Sequence, residues 1–182
     1  MRVYYCEGVP PEISQHCLAY LLLETILKKN YFVKKPKYGY TEQGKPYLKQ
    51  YPQLQFNSSH WHEGVACAIG SLPVGIDIER RFPWKENLAR RICHPAEWRR
   101  MEELQTQEER ERLLNLLWSR KESWLKCIGI GLRCDLREIN LLQTDTRRFQ
   151  ELQNERFTLV ACSEADDNQE DEIEKIRWQD LL

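Results

Sequence analysis

The sequence predicts an α+β fold, and three observations carry that prediction. Each half of the chain holds one long stretch of helical periodicity, about Glu12 to Lys29 and about Glu108 to Ile128. Each half also holds several short β-branched or aromatic runs bounded by turn residues. One of these runs, Val74-Gly75-Ile76-Asp77-Ile78-Glu79, alternates strictly: as a strand it puts Val74, Ile76 and Ile78 on one face and Asp77 with Glu79 on the other. The pattern suits two similar lobes, 1–82 and 83–182, with a cleft between them.

Composition narrows the class. A chain of 182 residues is long enough for one large domain or two small lobes with a genuine core. Its 41% hydrophobic and 30% charged residues are ordinary for a globular protein in water. A formal net charge of -1 gives no whole-molecule attraction to nucleic acid or to an anionic membrane. No apolar run reaches the length of a membrane span, and Met1 to Cys6 lacks the features of a signal peptide, so the expected location is the cytoplasm. Seven scattered cysteines without a Cys-x-x-Cys pair suggest neither a disulfide framework nor a thiolate zinc site, and Cys67, Cys127 and Cys162 read as small buried hydrophobes.

In chain order, Arg2 to Glu7 reads as a strand that ends before Pro10 and Pro11. The first long helix follows, with Leu18, Leu21, Leu22, Thr25 and Ile26 at helical spacing. Lys28, Lys29, Lys34, Lys35 and Lys37 then form a basic tract before a short strand near Tyr38 to Thr41. Gly44-Lys45-Pro46 has turn chemistry, and its lysine is expected to project. Leu54 to Asn57 reads as a strand whose end presents Ser58, Ser59 and His60, and Val65 to Ile69 as the next. Gly70-Ser71-Leu72-Pro73 has hairpin length, which makes the carboxylate strand the expected neighbour.

Arg80 to Trp84 leads into short helices at about Glu86 to Arg91 and Pro95 to Gln105, the second with a first-turn proline and Glu97 at its positive end. Gly129 and Gly131 terminate the second long helix. Beyond Arg137, strands are expected at Ile139 to Leu142, Arg148 to Leu152 and Phe157 to Cys162. A solvated acidic loop from Glu164 to Glu174 and an edge strand at Ile176 to Trp178 should follow.

Two acids on one strand face repel, and each tends to hold a proton unless a cation lies between them; Mg2+, a hard ion taking oxygen ligands, is the usual one. An edge strand with a solvated acidic face accounts for the same six residues, so a third ligand decides. Residues four apart stack on a helix, and Leu114, Trp118, Glu122 and Lys126 form one stripe of the second long helix. That stripe turns from apolar to charged while Leu113, Leu116, Leu117 and Leu125 supply burial elsewhere. By itself, the change is also what a surface Glu122 to Lys126 ion pair gives.

Taken together, Gly75-Ile76-Asp77-Ile78-Glu79 and Trp118-Ser119-Arg120-Lys121-Glu122-Ser123 through Lys126 resemble the paired signature of the 4'-phosphopantetheinyl transferases. Gly44-Lys45-Pro46-Tyr47, Phe56-Asn57-Ser58-Ser59-His60 and Gly129-Ile130-Gly131-Leu132 extend the resemblance in the expected order. In length the chain is similar to the single-chain, surfactin-synthetase-type branch and not to the short trimeric holo-acyl-carrier-protein synthases.

The resemblance implies two similar lobes in a pseudo-two-fold arrangement, each a long helix packed on a small, mainly antiparallel sheet, with the active site in the cleft. It implies transfer of the phosphopantetheine arm of coenzyme A to a serine of an apo acyl or peptidyl carrier protein, releasing adenosine 3',5'-bisphosphate. By the same resemblance Asp77, Glu79 and Glu122 hold Mg2+. Lys45, Ser59, Lys126 and His60 bind coenzyme A, the two lysines and His60 by pairing with phosphate oxygens, and Glu122, or water it orders, takes the proton of the serine.

The family's further basic residues come from a longer N-terminal segment. Here no arginine lies between Arg2 and Arg80, which leaves His16 as the candidate for the nucleotide end of coenzyme A. Trp61-His62 stands where the family has Ser-Gly, so the loop near the pyrophosphate is expected to take another shape. Both halves of the site in one chain imply a monomer. Two other classes suit the residues: a different Mg2+-dependent enzyme that cleaves nucleotide pyrophosphates, and a catalytically impaired relative that only binds carrier proteins.

Overall fold

A computed structural model describes residues 1–131, 133–142, 147–164 and 172–182, Arg147 by its backbone alone. The first part of the chain forms β1 (Arg2–Glu7), α1 (Gln15–Tyr31), β2 (Tyr38–Tyr40), β3 (Pro46–Leu48), β4 (Gln55–Trp61) and β5 (Gly64–Gly70). The rest forms β6 (Val74–Arg80), α2 (Glu86–Ile92), α3 (Pro95–Glu103), α4 (Gln107–Ile128), β7 (Arg147–Gln153), β8 (Phe157–Glu164) and β9 (Glu172–Lys175). Single 3-10 turns lie at Leu136–Glu138 and Trp178–Leu181.

One unit of strand, long helix and hairpin occurs twice. β1, α1, β4 and β5 give the strand order β4-β5-β1, and β6, α4, β7 and β8 give β7-β8-β6; in both, the first strand runs antiparallel to the last. This is the α+β, mainly antiparallel, two-lobed architecture the sequence predicts. β9 joins the outer side of β1 in parallel, and β2 with β3 forms a separate small hairpin. Sheet membership changes at the turn between Gly70 and Val74, ahead of residue 82, and β9 returns the chain to the first sheet.

The packing order follows from which faces are apolar. Leu18, Leu22, Leu23 and Ile26 of α1 cover Phe56, Val65, Cys67 and Ile69 on one face of the first sheet. The other face, with Val3, Tyr5, Ala66 and Ala68, meets Val74, Ile76, Ile78, Phe157 and Leu159 of the second sheet. A one-residue slip of β6 would expose those three aliphatic side chains, a loss of about 5 kcal/mol or more and comparable with the whole stability of a domain. The register is therefore fixed, and with it the face that carries Asp77. α2 and α3 close the far side of α4 through Ala89, Ile92, Met101, Leu114 and Leu117.

Helix ends follow local chemistry. Ser14 caps α1 by accepting from Cys17 N–H, so the helix begins at Gln15 and not near Glu12. Capping boxes formed by His94 with Glu97 and by Thr106 with Glu109 start α3 and α4, and Gly129 ends α4 at φ 78°.

The structure corrects three expectations about strands. β6 does not hairpin with β5; it crosses to the second sheet and pairs with β8. Ile139 to Leu142 is not a strand, because its backbone groups bond to side chains instead of a ladder: Leu141 N–H to Glu97, Leu142 N–H to Asn140 and Ile139 C=O to Lys121. The last strand is β9 and not Ile176 to Trp178. Of the expected acidic loop, residues 165–171 lie outside the described residues. No helix among the described residues is long and apolar enough to cross a membrane.

Candidate active site

Two edge strands meet at the site. β6 is an edge of its sheet and β4 an edge of the other, so the outer N–H groups of β6 need partners from side chains. Asn57 Oδ1 accepts the Ile76 N–H at 3.0 Å, and Ser59 Oγ accepts the Ile78 N–H at 3.3 Å. These two bonds align β4 with β6 and bring Ser59 beside Asp77, with Ser59 Oγ 3.5 Å from Asp77 Oδ1.

α4 supplies the other wall. An added Cβ on Gly75 would lie 2.9 Å from Cys127 Cα and closer still to Ser123 O, so the helix touches the strand backbone directly. Glu122 and Lys126 flank this contact. Lys126 Nζ donates to Asp77 Oδ1 at 2.7 Å and to Ser59 Oγ at 3.1 Å. Asp77, Glu122, Lys126 and Ser59 are thereby brought together across the strand and helix, as the sequence stripe anticipates.

Glu79 completes an acidic patch. Burial, reinforced by Asp77 and Glu122 and opposed by Lys126, pushes the Glu79 carboxyl up to about 7. Burial and Asp77 raise the Glu122 carboxyl as well. Both acids thus hold protons over a range where an unfolded chain has lost them. The sign follows: the stability Glu79 contributes is present below about pH 4.5 and is lost as pH rises through about 7, and Glu122 acts in the same direction. In metal-free buffer the melting temperature of Glu79→Gln should therefore climb relative to wild type between about pH 5 and pH 7.5. A relative fall over that window would mean that Glu79 is not held near neutral.

The donor set suits a hard cation. Asp77 Oδ2 and Glu122 Oε1 are buried and have no hydrogen-bond partner, which is costly for carboxylate oxygens unless something positive reaches them. Among the described residues no three His, Cys, Asp or Glu side chains stand in a chelating arrangement, and the Lys126 ammonium holds Asp77 Oδ1. The carboxylate oxygens of Asp77, Glu79 and Glu122 are the donor type that a hard cation such as Mg2+ takes.

The remaining predicted residues divide. The His60 ring lies 6.0 Å from that of His16, on the side of β4 covered by α1, and burial together with His16 and Lys126 lowers the His60 pKa. Lys45 does not project. Its ammonium donates to Cys127 O at 2.6 Å and Val74 O at 3.1 Å, tying the hairpin turn to the negative end of α4 and the start of β6. Burial lowers its pKa.

Trp61 is the last residue of β4 and is buried against Phe157, centroids 6.4 Å apart, so it packs the core between the sheets and does not shape a phosphate loop. Gly75 and Asn57 were not singled out from sequence as site residues. A glycine inside an otherwise β-branched strand is the signal that marks such a close approach. A cavity of about 720 Å³ lined by Arg90, Trp98, Arg99 and Arg137 shares none of the site residues.

An acid pair on a strand, Asp77 buried and Glu79 half-buried, is opposed by a glutamate and a lysine one turn apart on a helix and forms an acid-rich site where the two sheets meet. Residues 73–174 match the model of the 4'-phosphopantetheinyl transferase superfamily, and the chain belongs to that superfamily. It is 36% identical over 99 residues to a 4'-phosphopantetheinyl transferase of Bacillus subtilis, covering 54% of this chain and 44% of the relative. With 4'-phosphopantetheinyl transferase Sfp of Bacillus subtilis (strain 168) it shares 32% over 118 residues, 64% of this chain and 52% of that one. With 4'-phosphopantetheinyl transferase gsp of Aneurinibacillus migulanus it shares 34% over 124 residues, 65% of this chain and 49% of that one. The chain spans about half the length of these curated relatives.

Proposed function

We propose that this protein transfers the 4'-phosphopantetheine arm of coenzyme A to a serine of an apo acyl or peptidyl carrier protein, acting in the cytoplasm as a single chain. The observation that carries the reading is the meeting of Asp77 with Glu122 and Lys126 across β6 and α4, in a chain of this superfamily. Mg2+ held by Asp77, Glu79 and Glu122 would neutralise pyrophosphate charge that otherwise repels an attacking alcohol.

The chain's own groups do the rest. Lys126, steadied by Ser59, donates to a phosphate oxygen, and its charge is worth most as the leaving phosphate becomes more anionic. Glu122, its carboxyl raised by burial, is the candidate base, directly or through a water it orders, for the serine proton. The serine oxygen forms the new bond to phosphorus. The bond from that phosphorus to the bridging oxygen breaks, and adenosine 3',5'-bisphosphate leaves with the electron pair. His60 pairs with a phosphate oxygen and His16, whose ring lies 6.0 Å from it, meets the nucleotide end; Lys45 reaches a phosphate only by releasing its two carbonyls.

The deciding experiment is incubation with fluorescent coenzyme A and a panel of apo carriers. A transferase labels protein. A pyrophosphate-cleaving enzyme releases nucleotide without labelling, and an impaired relative binds carrier without either. Lys126→Ala should lower kcat/KM for coenzyme A by about 10- to 100-fold, with part of the loss in kcat, because a hydrogen bond from a charged donor contributes roughly 1.5–3 kcal/mol. A change confined to KM and abolished by salt would reduce Lys126 to a surface charge.

A further inference from the structure

Lys121 is a fully buried charged residue of the α4 signature that the proposed chemistry leaves unused. It cannot meet a phosphate as it stands: its side chain is 0% exposed. Its ammonium donates to the carbonyls of Ile92 at 2.6 Å, Leu136 at 2.8 Å and Ile139 at 2.7 Å. Its counter-ion is Glu97, also 0% exposed, at 2.7 Å. Glu97 in turn accepts the His94 N–H at 2.8 Å and the Leu141 N–H at 2.8 Å. One buried pair therefore joins the end of α2, the start of α3, the middle of α4 and the segment from Leu136 to Leu141.

A buried ion pair is a weak source of net stability, because desolvation of both charges offsets their attraction. What it does supply is direction, since every partner accepts only one placement of the ammonium. On a helix Glu122 lies about 100° round from Lys121, and Lys126 one turn beyond Glu122. Locking the azimuth of Lys121 on the α2–α3 side therefore sets the aim of Glu122 and Lys126 on the β6 side. Gly75 gives the helix its depth against the strand.

We infer that the Lys121–Glu97 pair is a positioning device that holds α4 in the rotation at which Glu122 and Lys126 converge on Asp77. The role is stated for the transferase reading, but its geometric content is independent of turnover. It implies that the signature lysine acts through its neighbours and contacts no substrate.

The test compares Lys121→Met and Glu97→Gln with wild type in the full chain. Competitive acetylation read by mass spectrometry reports how far Asp77 shields Lys126, with neither metal nor substrate present; Asp77→Asn is the control for lost shielding. Mn2+ titration followed by electron paramagnetic resonance reports convergence of the carboxylates. In folded variants Lys126 should label severalfold faster, the Mn2+ dissociation constant should rise about tenfold, as for other lost supports of metal ligands, and kcat should fall with KM for coenzyme A little changed. A purely structural pair would lower the melting temperature and leave these readouts alone well below it.

A cooperatively folded variant with wild-type Lys126 labelling and wild-type Mn2+ affinity overturns the inference. So does failure of both variants to fold, since the pair would then be a stability element. If wild type labels no carrier while Lys126 labelling and Mn2+ binding shift as stated, the transferase reading fails and the positioning role stands.

Discussion

Asp77→Ala and Glu122→Gln are each expected to lower carrier-labelling turnover by about 100-fold or more, while the chain still melts cooperatively. The size follows from the role proposed for the oxygens: a cation on a reacting phosphate stabilises transition-state charge by several kcal/mol, and each 1.36 kcal/mol is tenfold in rate. Both residues carry a buried oxygen with no partner, so neither is held by a hydrogen bond that its loss would leave open at that atom. Glu122→Gln also removes a member of a mutually repelling set, and in metal-free buffer its melting temperature should equal or exceed that of wild type above neutral pH. Asp77→Ala differs, because it strands the Lys126 ammonium. Equal numbers of the two variant chains, mixed, should regain no activity, since Asp77 and Lys126 already meet within one chain. Near-wild-type turnover of either variant at saturating Mg2+ would remove these residues from the site, and rescue on mixing would place the site between chains.

How much of this was legible beforehand depends on the range of the interaction. The alternation of β6 and the four-residue stripe of α4 are local periodicities, and they gave the faces of Asp77, Glu122 and Lys126 correctly. The ending of α4 at Gly129 is local too. What failed was partner choice. Gly70 to Pro73 has the length of a hairpin turn, and nothing in four residues tells that turn from a crossover; the decision lies in β8, whose Val160 stands opposite Asp77. Ile139 to Leu142 has strand-like composition, yet its carbonyls and amides serve Lys121, Arg120 and Glu97 from far along the chain. Lys45 reads as a projecting turn lysine because only the folded chain brings Val74 O and Cys127 O within its reach. Trp61 misled for the converse reason. A large residue in a motif position suggests a reshaped loop, whereas the strand simply continues and turns the ring inward.

Gly75→Ala should abolish the alignment that the other substitutions only probe one group at a time. The position has no left-handed backbone to explain a glycine; the requirement is space, since a Cβ would lie 2.9 Å from Cys127 Cα and nearer still to the Ser123 carbonyl. Backbone on both sides cannot swing away as a flexible side chain can, so α4 must lift from β6. Overpacking of this kind costs about 1–3 kcal/mol, which for a chain of this length lowers the melting temperature by roughly 2 to 12 °C. The chemical penalty should be larger than the stability penalty. Glu122 and Lys126 flank the contact, and a displacement of about 1 Å at reacting groups is enough for a loss near 100-fold. Turnover is therefore expected to fall by at least about that factor in a chain that still folds at 25 °C, with weaker Mn2+ binding alongside. The control is Gly39→Ala, whose Cβ would press on the Tyr47 ring, a side chain 42% exposed and free to move, in the β2–β3 hairpin. That variant should keep its turnover. Equal kinetics for Gly75→Ala and wild type would show that α4 does not need to touch β6, and the site built on their contact would have to be redrawn.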